Sequence, residues 1–183
     1  MKWTATAGRV KGTVMDEDAI RRSLSRIAHE IVERNKGASD LVLVGIVRKG
    51  DTLAQRLAGH IADLEGSTVP VGRINPARHR DDLHIRPVAD GSDISELPEI
   101  KDRIVVLVDD VIWHGRTIRA AMDALMELGR PRAIQLAVLV DRGHRELPIR
   151  PDYVGKNIAT SPDEMVYVCL REFEDLDQVV IIK

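Results

Sequence analysis

Along the chain, short runs of consecutive apolar residues alternate with segments in which apolar residues recur every third or fourth position. Leu41-Val42-Leu43-Val44-Gly45-Ile46-Val47, Ile104-Val105-Val106-Leu107-Val108 and Ile134-Gln135-Leu136-Ala137-Val138-Leu139-Val140 are rich in β-branched residues. Such runs predict parallel strands covered on both faces, because a strand with one wet face would alternate polar with apolar. Between them, Leu53, Leu57, Ile61 and Leu64 line one face of a helix, with Asp51 placed to cap its start. Ile118, Met122, Leu125 and Leu128 line another, closed by Gly129 where a helix C-terminus favours glycine. A first helix is predicted from near Asp16, burying Ile20, Leu24, Ile27 and Ile31. Met165 to Cys169 and Val179 to Ile182 close the chain as strand-like patches whose partners are not legible in the pattern.

This alternation predicts an α/β fold with a mainly parallel central sheet flanked by helices, and a binding crevice at the carboxyl ends of the strands. One stretch interrupts it. From Pro76 to Pro98 there is no period, three prolines (Pro76, Pro87, Pro98) and a dense mixture of Arg, His and Asp. A loop of that length predicts a functional flap or a disordered insertion.

Composition narrows the reading. A length of 183 residues suits one domain, and no internal repeat is visible. With 27 Lys and Arg against 29 Asp and Glu, the net charge is -2, so nucleic-acid binding would need a local basic patch. Aromatic residues make up only 3%, which argues against a base-stacking platform. The single cysteine, Cys169, cannot form an internal disulfide and fits a reducing compartment. No apolar run reaches the ~20 residues needed to cross a bilayer. Met1 to Gly8 lack the basic-then-apolar pattern of a secretory signal, so the cytoplasm is the expected location.

The segment from Ile104 to Arg119 carries the most chemistry. An apolar strand runs into Asp109-Asp110, and a loop, Val111-Ile112-Trp113-His114-Gly115, opens into a helix at Arg116-Thr117. Backbone N–H groups and the dipole at a helix N-terminus attract anions, phosphate above all. Adjacent carboxylates accept hydrogen bonds from vicinal hydroxyls such as those of a ribose. The pattern therefore suits both ends of a ribose 5-phosphate. Acids that merely cap the helix or bind water are the alternative, which the full strand–acid–acid–loop–helix register disfavours. Trp113 either packs against a neighbouring loop or shields the ribose. Asp141 with His144 is a weak metal pair, and Arg145 with Glu146 reads as a surface salt bridge.

The segment resembles the 5-phosphoribosyl 1-pyrophosphate (PRPP) motif of type I phosphoribosyltransferases. Downstream, Gly129-Arg130-Pro131, the block from Gln135 to Arg150 and Tyr153-Val154-Gly155-Lys156-Asn157-Ile158 are similar to one branch, the PyrR proteins. Ala19 to Ile31 is similar to the same branch. These are pyrimidine operon regulators that also have uracil phosphoribosyltransferase activity, and the similarity runs from about Asp16 onward. The resemblance implies that uracil and PRPP give UMP and pyrophosphate, with Mg²⁺ carried in on PRPP and no metal held by the protein directly. It implies Asp109, Asp110 and Arg80 as catalytic residues. The acids would hold the ribose hydroxyls, and Arg80, with Asp81 and Asp82, would stand at the base of the flap. Arg48, Lys49 and Gly50 would face the pyrophosphate; His114, Gly115, Arg116 and Thr117 would wrap the 5-phosphate. Val140, Asp141 and Arg142 would read uracil.

It also implies a basic surface for a stem-loop of pyrimidine operon mRNA. That surface would comprise Ser25, Arg26, His29 and Arg34 on the first helix, with Arg22 beside them, and His144, Arg145, Arg150 and Lys156 further on. Uridine nucleotides, UMP and UTP, would promote RNA binding, and the chain would form dimers or larger homo-oligomers with no membrane partner. Three positions depart from the branch: His114 where Thr is usual, Ile74 to His79 ahead of Arg80, and Arg48-Lys49 where Thr-Arg is common. They cluster on the catalytic side and leave a second reading, an RNA-binding regulator whose pocket senses nucleotide but whose catalysis is impaired. A purine or orotate transferase would share the PRPP loop but would not need the block from Arg142 to Arg150.

Overall fold

The computed structural model of the protein describes residues 9–79 and 95–183. Strands β1 (Val10–Met15), β2 (Leu41–Ile46), β3 (Val71–Ile74), β4 (Ile104–Ile112), β5 (Ala133–Asp141), β6 (Tyr153–Asn157), β7 (Met165–Cys169) and β8 (Gln178–Ile182) alternate with helices. The helices are α1 (Glu17–Asn35), α2 (Lys49–Glu65), α3 (Arg116–Leu128) and the short α4 (Arg171–Glu174). Five strands pair in parallel in the order β3-β2-β4-β5-β6. The other three pair antiparallel in the order β1-β8-β7.

Successive side chains of the central strands point to opposite faces, and both faces are covered. Leu41, Leu43, Val106 and Val108 pack with Ile20, Leu24, Ile27 and Ile31 of α1 and with Leu53, Leu57 and Ile61 of α2. Val42, Val44, Val105 and Leu107 pack instead with Ile118, Ala121, Ala124 and Leu125 of α3. Two-sided burial is why these strands read as unbroken apolar runs. Val168, Leu170 and Val179 join the first cluster, so the antiparallel sheet sits against that layer.

The helix starts differ in origin. Asp16 caps α1 as expected, its Oδ1 accepting from the Ala19 N–H at 2.8 Å. Asp51 does not cap α2, which begins two residues earlier with Arg48 at the cap position. Close approach of backbone sets that start: a Cβ on Gly50 would lie 2.3 Å from the Val108 carbonyl oxygen, and one on Gly45 2.1 Å from Asp51 Cα. The first turn of α2 thus lies directly on β2 and β4. Gly129 ends α3, but its φ of 179° is ordinary extended backbone. Glycine is needed there because a Cβ would come within 2.6 Å of Ile100 Cγ1. Leu64 and Leu128 fall at the ends of their helical stripes and are 40% and 58% exposed, not core residues.

Pro76 removes no ladder donor, because β3 ends at Ile74 and Ala77–His79 form a 3-10 turn. The roots of the predicted flap are held: Arg73 and Glu96 exchange two backbone hydrogen bonds at 2.8 and 2.9 Å, and the Asn75 N–H donates to Ser95 Oγ at 3.0 Å. Arg80, Asp81 and Asp82 lie outside the described residues. No helix among the described residues is long and apolar enough to cross a membrane.

Candidate nucleotide site

β4 runs on through both acids to Ile112, so Asp109 and Asp110 lie within the strand and not beyond its end. Each is oriented by the next amide: the Asp110 N–H donates to Asp109 Oδ1 at 2.9 Å, and the Val111 N–H to Asp110 Oδ1 at 2.8 Å. Asp109 opens on a cavity of about 640 Å³ whose walls include Trp113, His114, Gly115, Arg116, Thr117 and Arg142. Among the described residues, Asp110, Val140 and Asp141 are not on its walls. Burial pushes the Asp110 carboxyl above its ordinary value, and the nearby Lys49 ammonium opposes that rise.

The expected phosphate loop turns into α3 at Gly115, whose φ of 92° places it in the left-handed region that glycine adopts without strain. No side chain caps α3. The segment after β5 folds down onto this loop: the Glu146 and Leu147 N–H groups both donate to the His114 carbonyl, at 3.1 and 3.2 Å. Arg116 Nε donates to Glu146 Oε2 at 2.6 Å, and His114 Nδ1 lies 3.7 Å from Glu146 Oε1. The expected Arg145–Glu146 pair is therefore not made. Glu146 turns to the loop, while Arg145 Nη2 donates to Asp141 Oδ2 at 2.6 Å and its Nη1 to the Trp113 carbonyl at 2.8 Å.

Lys49 does not reach forward as a free cation. Its ammonium donates to the Val168 carbonyl, pairs with Glu174 at 3.4 Å and lies 3.8 Å from the centroid of the Tyr167 ring. Glu174 is fixed in turn by the Tyr167 hydroxyl and the Leu170 N–H, each donating at 2.9 Å. Lys49 and Gly50 form the first turn of α2 and not a separate loop, with Arg48 exposed ahead of them.

On the wall of the cavity, beside Trp113, Arg142 is buried, with a relative exposure of 4%. Its guanidinium donates to Thr160 Oγ1 at 3.2 Å and to the Ser161 carbonyl at 3.3 Å, and lies over the Trp113 ring at 4.2 Å. Burial pulls its pKa down, and Glu164 opposes the fall. Asp141 spends its carboxylate on the Gly143 N–H at 2.9 Å and on Arg145. His144 turns away from Asp141, its Nε2 lying 2.7 Å from the Thr160 carbonyl. Among the described residues no group of three or more His, Cys, Asp or Glu is placed to hold a metal.

The residues expected on a basic surface divide into two kinds. Arg150 and Lys156 are exposed, Lys156 donating to the Val14 carbonyl at 2.9 Å. Arg26 ties α1 to β6 through the Val154 and Gly155 carbonyls at 2.9 and 2.8 Å and pairs with Glu30 at 2.6 Å. Arg34 pairs with Asp152 at 2.6 Å, and His29 Nδ1 lies 2.8 Å from the Ser25 carbonyl. The helix and the later block thus meet along β6. Arg145 instead turns inward, its guanidinium donating to Asp141 Oδ2 and to the Trp113, Gly143 and Ile149 carbonyls. Sequence reasoning missed the roles of Glu146, Tyr167 and Glu174: a polar side chain in a loop, a short helix or a half-buried strand carries no signal of its partner, and only its folded neighbours identify it.

A family model described as "Phosphoribosyl transferase domain" matches residues 12–170. The "Bifunctional protein PyrR" of Pelotomaculum thermopropionicum is 58% identical over 178 residues, covering 96% of this chain and 97% of that protein. The chain belongs to the PyrR family. A second PyrR, from a Thermoanaerobacter species, is 56% identical over 94% of this chain and 98% of its own length. Among solved structures, a hypoxanthine-guanine phosphoribosyltransferase from Bacillus anthracis superposes with a TM-score of 0.72. It covers 96% of this chain at 19% identity, so that likeness speaks to fold alone. The type I phosphoribosyltransferase fold and the PyrR relationship agree with the parallel sheet flanked by helices.

Proposed function

We infer that this PyrR protein is a uridine-nucleotide-dependent regulator of pyrimidine biosynthetic genes that also converts uracil and PRPP to UMP and pyrophosphate. The observation that carries the transferase half is a cavity bordered by Asp109, by the loop from His114 to Thr117 and by buried Arg142. A ribose 5-phosphate lying along β4 would set its hydroxyls on the acids, its phosphate at the N-terminus of α3 and its anomeric carbon toward Arg142. Uracil N1 forms the new bond to that carbon as the bond to pyrophosphate breaks, and the N1 proton leaves to solvent or base. The transition state carries positive charge on the sugar, so positioning and charge stabilisation supply the catalysis without a protein nucleophile.

Mg²⁺ arrives with PRPP as part of the substrate, where it offsets charge on the departing pyrophosphate. The acidic edge at Asp109 and Asp110 suits such a hard, oxygen-loving complex. Asp109, Asp110 and Arg80 keep their proposed catalytic roles, with His114 to Thr117 on the phosphate. Arg142 is the proposed base reader, with Val140 and Asp141 behind it. Arg48 and the α2 N-terminus face the pyrophosphate, while Lys49 supports that turn from behind.

The regulatory half rests on the exposed cations along α1 and β6. A stem-loop of pyrimidine operon mRNA would meet Ser25, Arg26, His29, Arg34, His144, Arg150 and Lys156 there. We take the whole as one domain working in the cytoplasm and self-associating, with Met126 and Leu128, each 58% exposed, as apolar surface available for that. The test is UMP formation from uracil, PRPP and Mg²⁺, with RNA binding measured beside it at two UMP concentrations. Turnover together with UMP-enhanced RNA binding supports both halves. UMP binding without turnover would favour the sensor whose catalysis is impaired, and position 114 would be the first suspect.

A further inference from the structure

Trp113 has surroundings that neither packing nor ribose shielding accounts for. Its ring stacks on His114 at 3.7 Å between centroids and 29° between planes, which ties the indole to the phosphate loop. The same ring carries the Arg142 guanidinium at 4.2 Å. Arg145 grips the Trp113 carbonyl at 2.8 Å, so the main chain at this position is fixed as well. The indole N–H is buried and has no hydrogen-bond partner among the described residues. A buried donor without a partner is disfavoured, so Trp113 is not placed here for that hydrogen bond.

Arg142 explains the choice. Its guanidinium is buried, and its hydrogen bonds go to neutral oxygens at the long distances of 3.2 and 3.3 Å. Two long bonds hold a planar cation loosely, whereas an aromatic face fixes its plane and contributes cation–π attraction where water is scarce. We propose that Trp113 is a positioning residue that holds the Arg142 guanidinium in the orientation required to read the base, using the phosphate loop as its anchor. Through this stack, the phosphate end and the base end of one cavity are a single mechanical unit. A side chain on the 5-phosphate loop thereby sets how well the pyrimidine is recognised.

The proposal rests on the reading of this cavity as a uridine-nucleotide site, so the experiment separates the two. UMP and ribose 5-phosphate, which differ only in the base, are titrated calorimetrically into the wild type, Trp113→Phe and Trp113→Leu. A wild type that binds UMP no more tightly than ribose 5-phosphate would remove the cavity reading itself. Given that preference, Trp113→Leu is expected to lose about tenfold in UMP affinity. Its affinity for ribose 5-phosphate should fall much less, and Trp113→Phe, which keeps an aromatic face and drops the idle N–H, should restore most of the loss in UMP affinity. UMP affinity unchanged in the leucine variant, or an equal loss for both ligands, overturns the positioning role. Should the leucine variant not fold, Trp3→Phe leaves Trp113 as the sole tryptophan. UMP must then alter its fluorescence more than ribose 5-phosphate does; identical responses overturn the proposal.

Discussion

At the scale of single residues, the site is a set of charges already paired with one another. Glu146 occupies Arg116 at 2.6 Å and faces His114, the two side chains of the loop that would compensate a phosphate. A phosphate must compete with that carboxylate. Glu146→Gln is therefore expected to tighten inorganic phosphate and ribose 5-phosphate binding several-fold; unchanged affinities in calorimetric titration would show that Glu146 swings clear without cost. His114→Thr tests the most conspicuous departure from the branch. If the imidazole impedes the loop, the variant gains transferase activity, and no gain in kcat/KM would clear His114 of that role. The sequence made the acids and the loop legible because they sit at consecutive positions between a strand and a helix. Glu146 was hidden because its partner lies 30 residues away and its neighbour Arg145 offered an equally good local pairing.

At the scale of elements, the start of α2 is set by glycine. Gly50 lets the helix touch the β4 backbone at Val108 and Asp109. Gly50→Ala would force the two apart and is expected to cost about 1–3 kcal/mol of stability, as overpacking does. KM for PRPP should rise with it, because the turn moves away from the acids; a variant with wild-type melting and KM would refute this account. The Lys49–Tyr167–Glu174 cluster makes a pH prediction. Burial first, and then the hydrogen bond to Glu174, push the Tyr167 hydroxyl up from 10.0 to about 12. The folded state then holds a proton that the unfolded chain has released between those values, so this contribution to stability is present below pH 10 and is lost as pH rises toward 12. Denaturant melts across that window should fall less steeply in Tyr167→Phe than in the wild type, and parallel curves would exclude the cluster as the cause. The helix of α2 and the strand β7 were legible as patterns, but not every strand was. β1, β3 and β6 lack strong apolar runs; β1 is mostly exposed, and β6 contains Gly155 and Lys156. Short half-wet strands become strands only when a neighbour offers its open edge.

At the scale of the whole molecule, α1 and β6 bring cations from two distant chain segments together, and those cations differ in kind. Arg150 is exposed, whereas Arg26 also bonds two β6 carbonyls. Arg150→Gln should weaken stem-loop binding and reduce its salt slope by about one phosphate contact, with melting unchanged. Arg26→Gln should do the same and also lower the melting temperature; RNA affinity unchanged in both would place the RNA elsewhere. The sequence by itself determined the parallel core, the capped first helix, the acid pair and the family. Each of these is written in neighbouring residues, as an unbroken apolar run, a periodic stripe or a contiguous motif. Only the tertiary structure decided which charges are free to meet a ligand. Lys49 and Arg145 looked like exposed cations and proved to be held inside the molecule, while Trp113, Arg142 and Glu146 proved to share the loop. The reason is range. Burial and periodicity are local and survive in sequence, but an ion pair or a stacked cation is decided by partners that the fold brings from elsewhere in the chain.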